Sequence, residues 1–93
     1  MEHSFLVHNP GDDVGVAVVD IRGGDAVVGV YLDDGRTVEV TARDDVPLGH
    51  KLALKDVGEG EQVLKYGSRI GVARSRIGVG DYVHTHNVRS ARW

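Results

Sequence analysis

Two of the five histidines stand one residue apart near the C-terminal end, in the run His84-Thr85-His86-Asn87. On an extended strand, alternate residues share a face. That spacing presents both imidazoles to one side and Thr85 to the other. Two imidazoles so placed are competent to ligate one divalent metal or to contact one anion. The same pair is equally ordinary on a solvated surface. Asn87 adds an amide, and Arg89 adds a planar guanidinium fork suited to carboxylate. A metal also needs a third ligand, and nothing adjacent supplies one. The remaining sources are His50, His3, His8, an acidic side chain or another chain.

Two further stretches carry candidate groups. Gly49-His50-Lys51 lies where a loop containing Pro47 runs into a strand, a common place for a working histidine. Lys51 is either an anion ligand or a solvated strand residue, and His50 serves equally as a turn-capping side chain. Lys65-Tyr66-Gly67 offers an ammonium and a phenol to an oxyanion, or simply borders a sheet edge. His3 and His8 have no supporting context and read as non-functional. Nucleophile elbow, P-loop, dinucleotide fingerprint and H-E-x-x-H patterns are all missing. The pairs Asp12-Asp13, Asp33-Asp34 and Asp44-Asp45 fall in predicted turns. Aspartate favours turns for local hydrogen-bonding reasons, so these are not read as acid–base pairs.

Composition narrows the setting. With 93 residues, the chain builds one domain and one modest core, too little for a large catalytic cleft of its own. There is no cysteine, which removes disulfides, thiol nucleophiles and cysteine-based metal sites and accords with a cytoplasmic setting. Residues Met1 to Pro10 lack the basic and apolar stretches of a signal peptide, and no apolar run is long enough to span a membrane. From Met1 to Val63 there are 13 acidic and 5 basic residues, a net of −8; from Leu64 to Trp93 there are 6 basic and 1 acidic, a net of +5. This asymmetry reads either as chance placement on a solvated surface or as a C-terminal third that faces an anion. Nucleic acid suits that role poorly, because the chain is acidic overall and aromatics are scarce. A small carboxylate or sulfonate suits it better.

The elements that must position these groups are mainly β. Valine favours strands, and the 13 glycines are scattered in the manner of turns. Strands are predicted over Phe5–His8, Ala26–Leu32, Arg36–Ala42, Lys51–Leu54, Gln62–Lys65, Arg69–Ala73 and Asp81–His84. Asp33-Asp34-Gly35 turns a hairpin between the second and third of these. Between Asp13 and Asp20 a short helix is preferred, capped by Asp12 or Asp13 with Val14, Val18 and Ile21 on one face; the alternation Val14, Val16, Val18 is the competing strand pattern.

A spacing recurs along the chain. Ala17, Ile21, Gly24, Asp25 and Val27 are matched by Ala53, Val57, Gly60, Glu61 and Val63, and again by Ala73, Ile77, Gly80, Asp81 and Val83. The copies start at unequal intervals, so no fixed-period solenoid is implied. A small residue for close packing, an aliphatic anchor, a glycine for positive φ and a valine opening the next strand give the unit a physical reason. It is also a common strand–turn–strand grammar. On either reading it shapes the fold and performs no chemistry.

In order along the chain, Asp13-Val14 with Ala17 and Val18, Gly49-His50-Lys51-Leu52-Ala53, Lys65-Tyr66-Gly67 with Ile70-Gly71-Val72-Ala73, and Ile77, Gly80 and Val83-His84-Thr85-His86-Asn87 resemble the N-terminal domain of the altronate/galactarate dehydratase family. The resemblance covers about Asp12 to Arg89. It implies a single SAF-type domain over residues 1–93 with a β-clip fold. In the dehydratases this domain precedes a much larger catalytic region, whereas here the chain stops soon after the histidines. That departure is similar to the split, two-subunit lyases of the family, which act on sulfolactate or sugar acids. It implies a large catalytic partner subunit and a small anionic α-hydroxy acid as substrate. Oligomerisation is expected because an unpaired β-clip of this size leaves edges and apolar surface needing cover. The reaction implied is a β-elimination of water or sulfite that depends on iron(II) or another divalent metal shared between the subunits. Carried over by residue, the resemblance puts His84 and His86 at the metal or substrate and Asn87 and Arg89 beside them, with His50, Lys51, Lys65 and Tyr66 as further substrate-binding candidates. The alternative is a non-catalytic SAF-type carbohydrate- or anion-binding module, or an assembly module.

Overall fold

The computed structural model describes residues 3–65 and 67–90. Tyr66 lies outside the described residues. Nine strands form among them, and no helix: β1 Phe5–Val7, β2 Val14–Ala17, β3 Ala26–Tyr31, β4 Thr37–Thr41, β5 Lys51–Ala53, β6 Gln62–Lys65, β7 Ser68–Ala73, β8 Tyr82–Val83 and β9 Val88–Ser90. They form a six-stranded sheet in the order β4-β3-β1-β2-β5-β8 and a three-stranded sheet in the order β6-β7-β9. Apart from the parallel pair β1–β3, neighbours run antiparallel. The mainly β, SAF-type architecture is therefore as expected.

The expected helix over Asp13–Asp20 is absent. Val14–Ala17 is a strand that fills the gap between β1 and β5, with Gly15 opposite Leu52 and Ala17 opposite Phe5. A helix would satisfy its own backbone and leave two strand edges bare; a strand here pairs on both sides. The β-branched valines and the glycine also disfavour a helix. The expected hairpin does form. Gly35 adopts φ +78° and donates to the Tyr31 carbonyl at 2.9 Å.

Phe5, the one phenylalanine, is completely buried. Its ring lies over Gly15 of β2 and Gly29 of β3, where a Cβ on Gly15 would approach ring carbon Cδ2 at 2.7 Å and one on Gly29 would overlap the ring. These glycines are there to leave room for an aromatic ring. Phe5 anchors one core with Val7, Ala17, Ile21, Val27, Val40, Ala42, Val46 and Leu52. A second core gathers Val14, Ala53, Val57, Val63, Ala73, Ile77 and Val83. Strands β2 and β5 feed both, Ala17 and Leu52 facing the first and Val14 and Ala53 the second.

The recurring unit occurs four times, not three. Ala42, Val46, Gly49, His50 and Leu52 form the additional copy, masked because histidine and leucine replace the acid and the valine. The four copies pair two by two. Ile21 and Val46 exchange backbone hydrogen bonds of 2.9 Å, and Val57 and Ile77 exchange theirs at 2.8 Å. In every copy the glycine N–H donates to the alanine carbonyl of its mate: Gly24 to Ala42, Gly49 to Ala17, Gly60 to Ala73 and Gly80 to Ala53. All four glycines have φ between 83° and 96°, a region that a side chain disfavours.

The Phe5 ring and its two glycines form one packing unit. We expect Phe5→Ala to cost about 3–5 kcal/mol. Gly29→Ala should be strongly destabilising although it adds a single methyl. Urea unfolding midpoints of the two variants check both.

Candidate functional site

The four-residue segment is a turn, not an extended strand. Strand β8 ends at Val83, and the N–H groups of Asn87 and Val88 both return to the His84 carbonyl, at 3.1 and 2.9 Å. Asn87 builds this turn. Its buried side chain accepts from the His84 N–H through Oδ1 at 2.9 Å and donates through Nδ2 to the Tyr82 carbonyl at 2.8 Å. The strand-based expectation that Thr85 points away from His84 is overturned. His84 and Thr85 line one shallow depression of about 300 Å³ with Lys51, Ile70, Val83, Val88 and Ser90, because a turn does not alternate its side chains.

His50 joins the cluster from the six-stranded sheet. It precedes β5, which pairs with β8 through Lys51 opposite Val83 and Leu52 opposite Tyr82. The His50 and His84 rings lie 5.2 Å apart between centroids. Tyr82, which sequence reasoning missed, sits among the three imidazoles. It stacks on His84 with planes only 5° apart at 5.6 Å, and lies 5.6 Å from His86 at a 43° tilt, both within the range of favourable ring contacts. Its hydroxyl is 2.6 Å from His50 Nδ1. The available signal was the i, i+2 spacing of Tyr82 and His84, which on extended backbone shares a face.

The junction of the two cores positions Tyr82. The loop after β4 reaches across to β8: Arg43 N–H donates to the Gly80 carbonyl at 2.9 Å, and Asp44 Oδ2 accepts from Tyr82 N–H at 3.0 Å. The Arg43 guanidinium also faces the Asp81 carboxylate at 3.5 Å. A Cβ on Gly80 would overlap the Thr41 carbonyl oxygen, so glycine is required for this approach.

The other candidates are scattered. Lys51 stands at the depression. Arg89 does not, because β9 alternates: Val88 and Ser90 face the His84 depression, while Arg89 faces a separate one with Arg74 and Glu59. Lys65 is buried and lies in electrostatic reach of His8, as does Asp12. There Asp12 also accepts from Gly67 N–H at 2.9 Å. Tyr66 lies outside the described residues. His8 thus has a setting that its sequence context did not suggest. Burial first, and then the Lys65 ammonium, hold its imidazole below the ordinary 6.5, against an opposing pull from Asp12.

Among the described residues, no group of three or more His, Cys, Asp or Glu side chains is placed to hold a metal ion. His84 and His86 are both exposed. No helix among the described residues is long and apolar enough to cross a membrane.

Comparison with known proteins places this arrangement. Residues 3–91 match the altronate/galactarate dehydratase SAF domain. The chain belongs to that family. It is 42% identical over 94 residues to the alpha subunit of (2R)-sulfolactate sulfo-lyase of Chromohalobacter salexigens, a match that covers all of both chains. The Paracoccus pantotrophus subunit of the same description is 42% identical over 64 residues, 69% of this chain and 96% of that one. Altronate dehydratase of Escherichia coli is 44% identical over 79 residues, 85% of this chain but 15% of that protein. The relatives are lyases and dehydratases, and the chain is a member of a lyase family.

Two predictions follow from the geometry. Asn87→Ala leaves the His84 N–H and the Tyr82 carbonyl without their partner, at a cost of about 1–3 kcal/mol, and should loosen the turn, with new amide exchange at residues 84–88. His8 has its folded-state pKa below its unfolded value, so it contributes stability above about pH 6.5 that is lost as the pH falls through the folded value. The drop in Tm on acidification through that window should be smaller in His8→Gln than in the wild-type chain.

Proposed function

We propose that this chain is the small subunit of a two-subunit, cytoplasmic α-hydroxy-acid lyase, and that the His50–Tyr82–His84–His86 cluster is its contribution to a site completed by a large catalytic subunit. The observation that carries this reading is the gathering of three imidazoles, a phenol and Lys51 on one open surface. Among the described residues His84, Thr85 and His86 stay exposed there. End-to-end similarity to an alpha subunit supports the same reading, since a subunit so named has a counterpart.

The substrate class is a small anionic α-hydroxy acid, either sulfolactate or a sugar acid such as altronate or galactarate. Sulfolactate is short and doubly anionic, which suits the basic C-terminal third. His84 and His86 hold one side of a divalent ion, iron(II) by family analogy, and the large subunit supplies the remaining ligands. When bound, such an ion supplies positive charge that polarises the carboxylate and α-hydroxyl and favours departure of the leaving group. Lys51 places an ammonium at the edge of the depression for a substrate carboxylate or sulfonate. Asn87 supports both histidines from beneath by fixing their turn. The base that removes the carbon-bound proton belongs to the large subunit. Arg89 and Lys65 have a place in substrate binding only where the partner brings the substrate across β9 or to the β6–β7 hairpin.

Co-purification of the tagged chain with a large lyase subunit tests the assembly. Assays of the pair for sulfite release from sulfolactate, and for water loss from altronate and galactarate, test the reaction. His84→Ala and His86→Ala should each lower kcat/KM by at least about the 10–100-fold typical of losing even an outer support of a metal ligand, and should lower the metal content of the complex. Full activity in both variants would remove the site assignment. Tight binding of a non-enzymatic partner, with no lyase subunit captured, would favour the assembly-module alternative.

A further inference from the structure

We infer that Tyr82 fixes His50 in the neutral tautomer that carries its proton on Nε2, so that His50 serves the site as a hydrogen-bond donor to an anionic oxygen and not as a third metal ligand. The contact itself is short, 2.6 Å between the Tyr82 hydroxyl and His50 Nδ1. Two neutral arrangements fit that distance. In one, the phenol O–H donates to a bare Nδ1. In the other, an Nδ1–H donates to the phenol oxygen. The first is favoured, because a phenol is a strong donor whose oxygen lone pair is delocalised into the ring, while an unprotonated imidazole nitrogen is a strong acceptor.

The hydroxyl is also held in place. The Tyr82 ring lies parallel to His84. Its backbone N–H is tied to Asp44 at 3.0 Å and its carbonyl to Asn87 at 2.8 Å. On the other side, His50 is fixed through its own backbone, its N–H donating to the Pro47 carbonyl at 3.0 Å and its carbonyl accepting from Ala17 N–H at 2.9 Å. Neither partner is free to drift from the other. The hydrogen bond made by one ring nitrogen decides where the proton sits on the other. With the Nδ1 lone pair occupied and Nε2 protonated, His50 has no lone pair left for a cation, although it lies 5.2 Å from His84. What it offers is an N–H. His50 thus occupies the position held by an acid in the other three copies of the recurring unit, Asp25, Glu61 and Asp81, and adds an N–H that an ionised carboxylate does not have.

The donor role rests on the lyase reading above; the tautomer does not, and the experiment separates them. A long-range ¹H–¹⁵N correlation spectrum of the histidine-labelled full chain, at a pH where imidazole is neutral, reads the tautomer without any substrate or partner. We expect the pattern of a proton on Nε2 for His50, and a shift toward a mixture of both tautomers in Tyr82→Phe, which keeps the stacking ring and removes only the hydroxyl. A proton on Nδ1 with a bare Nε2 in the wild-type chain would overturn the inference, as would an unchanged His50 pattern in the variant. In the assembled enzyme, His50→Ala should raise KM by about tenfold or more, the effect of losing one hydrogen bond to a charged group, with metal content retained. His50→Gln, whose amide also donates, should recover part of that loss. Loss of metal on His50→Ala would overturn the donor role. A pair with no lyase activity at all would sink the proposed function while leaving the tautomer measurement intact.

Discussion

Reciprocal backbone pairing between glycine-containing turns is the constraint on which this molecule depends. Four copies of one short unit meet in two pairs, and in each pair every glycine N–H finds the alanine carbonyl of its mate. Short strands of two to six residues leave many backbone groups at their ends, and a buried group without a partner is costly. The turns satisfy those groups for one another. The alanine must be small for the chains to approach, and the glycine must have positive φ for the N–H to aim correctly.

The same pairing explains why the chemistry collects where it does. One pair of turns closes over the Phe5 core and the other over the valine-rich core. The loop Arg43–Asp44 of the first locks onto Gly80–Tyr82 of the second. Tyr82 stands on that join, with His50 arriving from the first pair and His84 and His86 following from the second. The surface brought together is rich in imidazole, with His84, Thr85 and His86 exposed. A core of this size is sufficient to hold a turn rigid but not to enclose a substrate, which is the form expected under the proposed shared site.

Asn87 and Asp44 show how rigidity is obtained without a large core. Each is an amide or carboxylate spent on backbone groups beside Tyr82. Both act on backbone groups and so set where the rings are.

The sequence by itself determined the β class, the Asp-Gly hairpin, most strand positions and the family. These follow from local features: branched side chains, turn residues and a motif read along the chain. Only the tertiary structure decided the rest. Val14–Ala17 became a strand because two neighbouring edges needed a partner, which no local pattern reveals. The fourth copy of the unit stayed hidden because His50 and Leu52 depart from it in type while keeping its backbone role. The histidine pair proved to lie on a turn, because Asn87 bonds back across it. Arg89 was separated from His84 by strand alternation, and Lys65 by its place near His8 on β6. Tyr82 entered the site through a contact with His50, a residue thirty-two positions away. Contacts between distant residues depend on how strands pair, and pairing is settled by the whole set of edges at once.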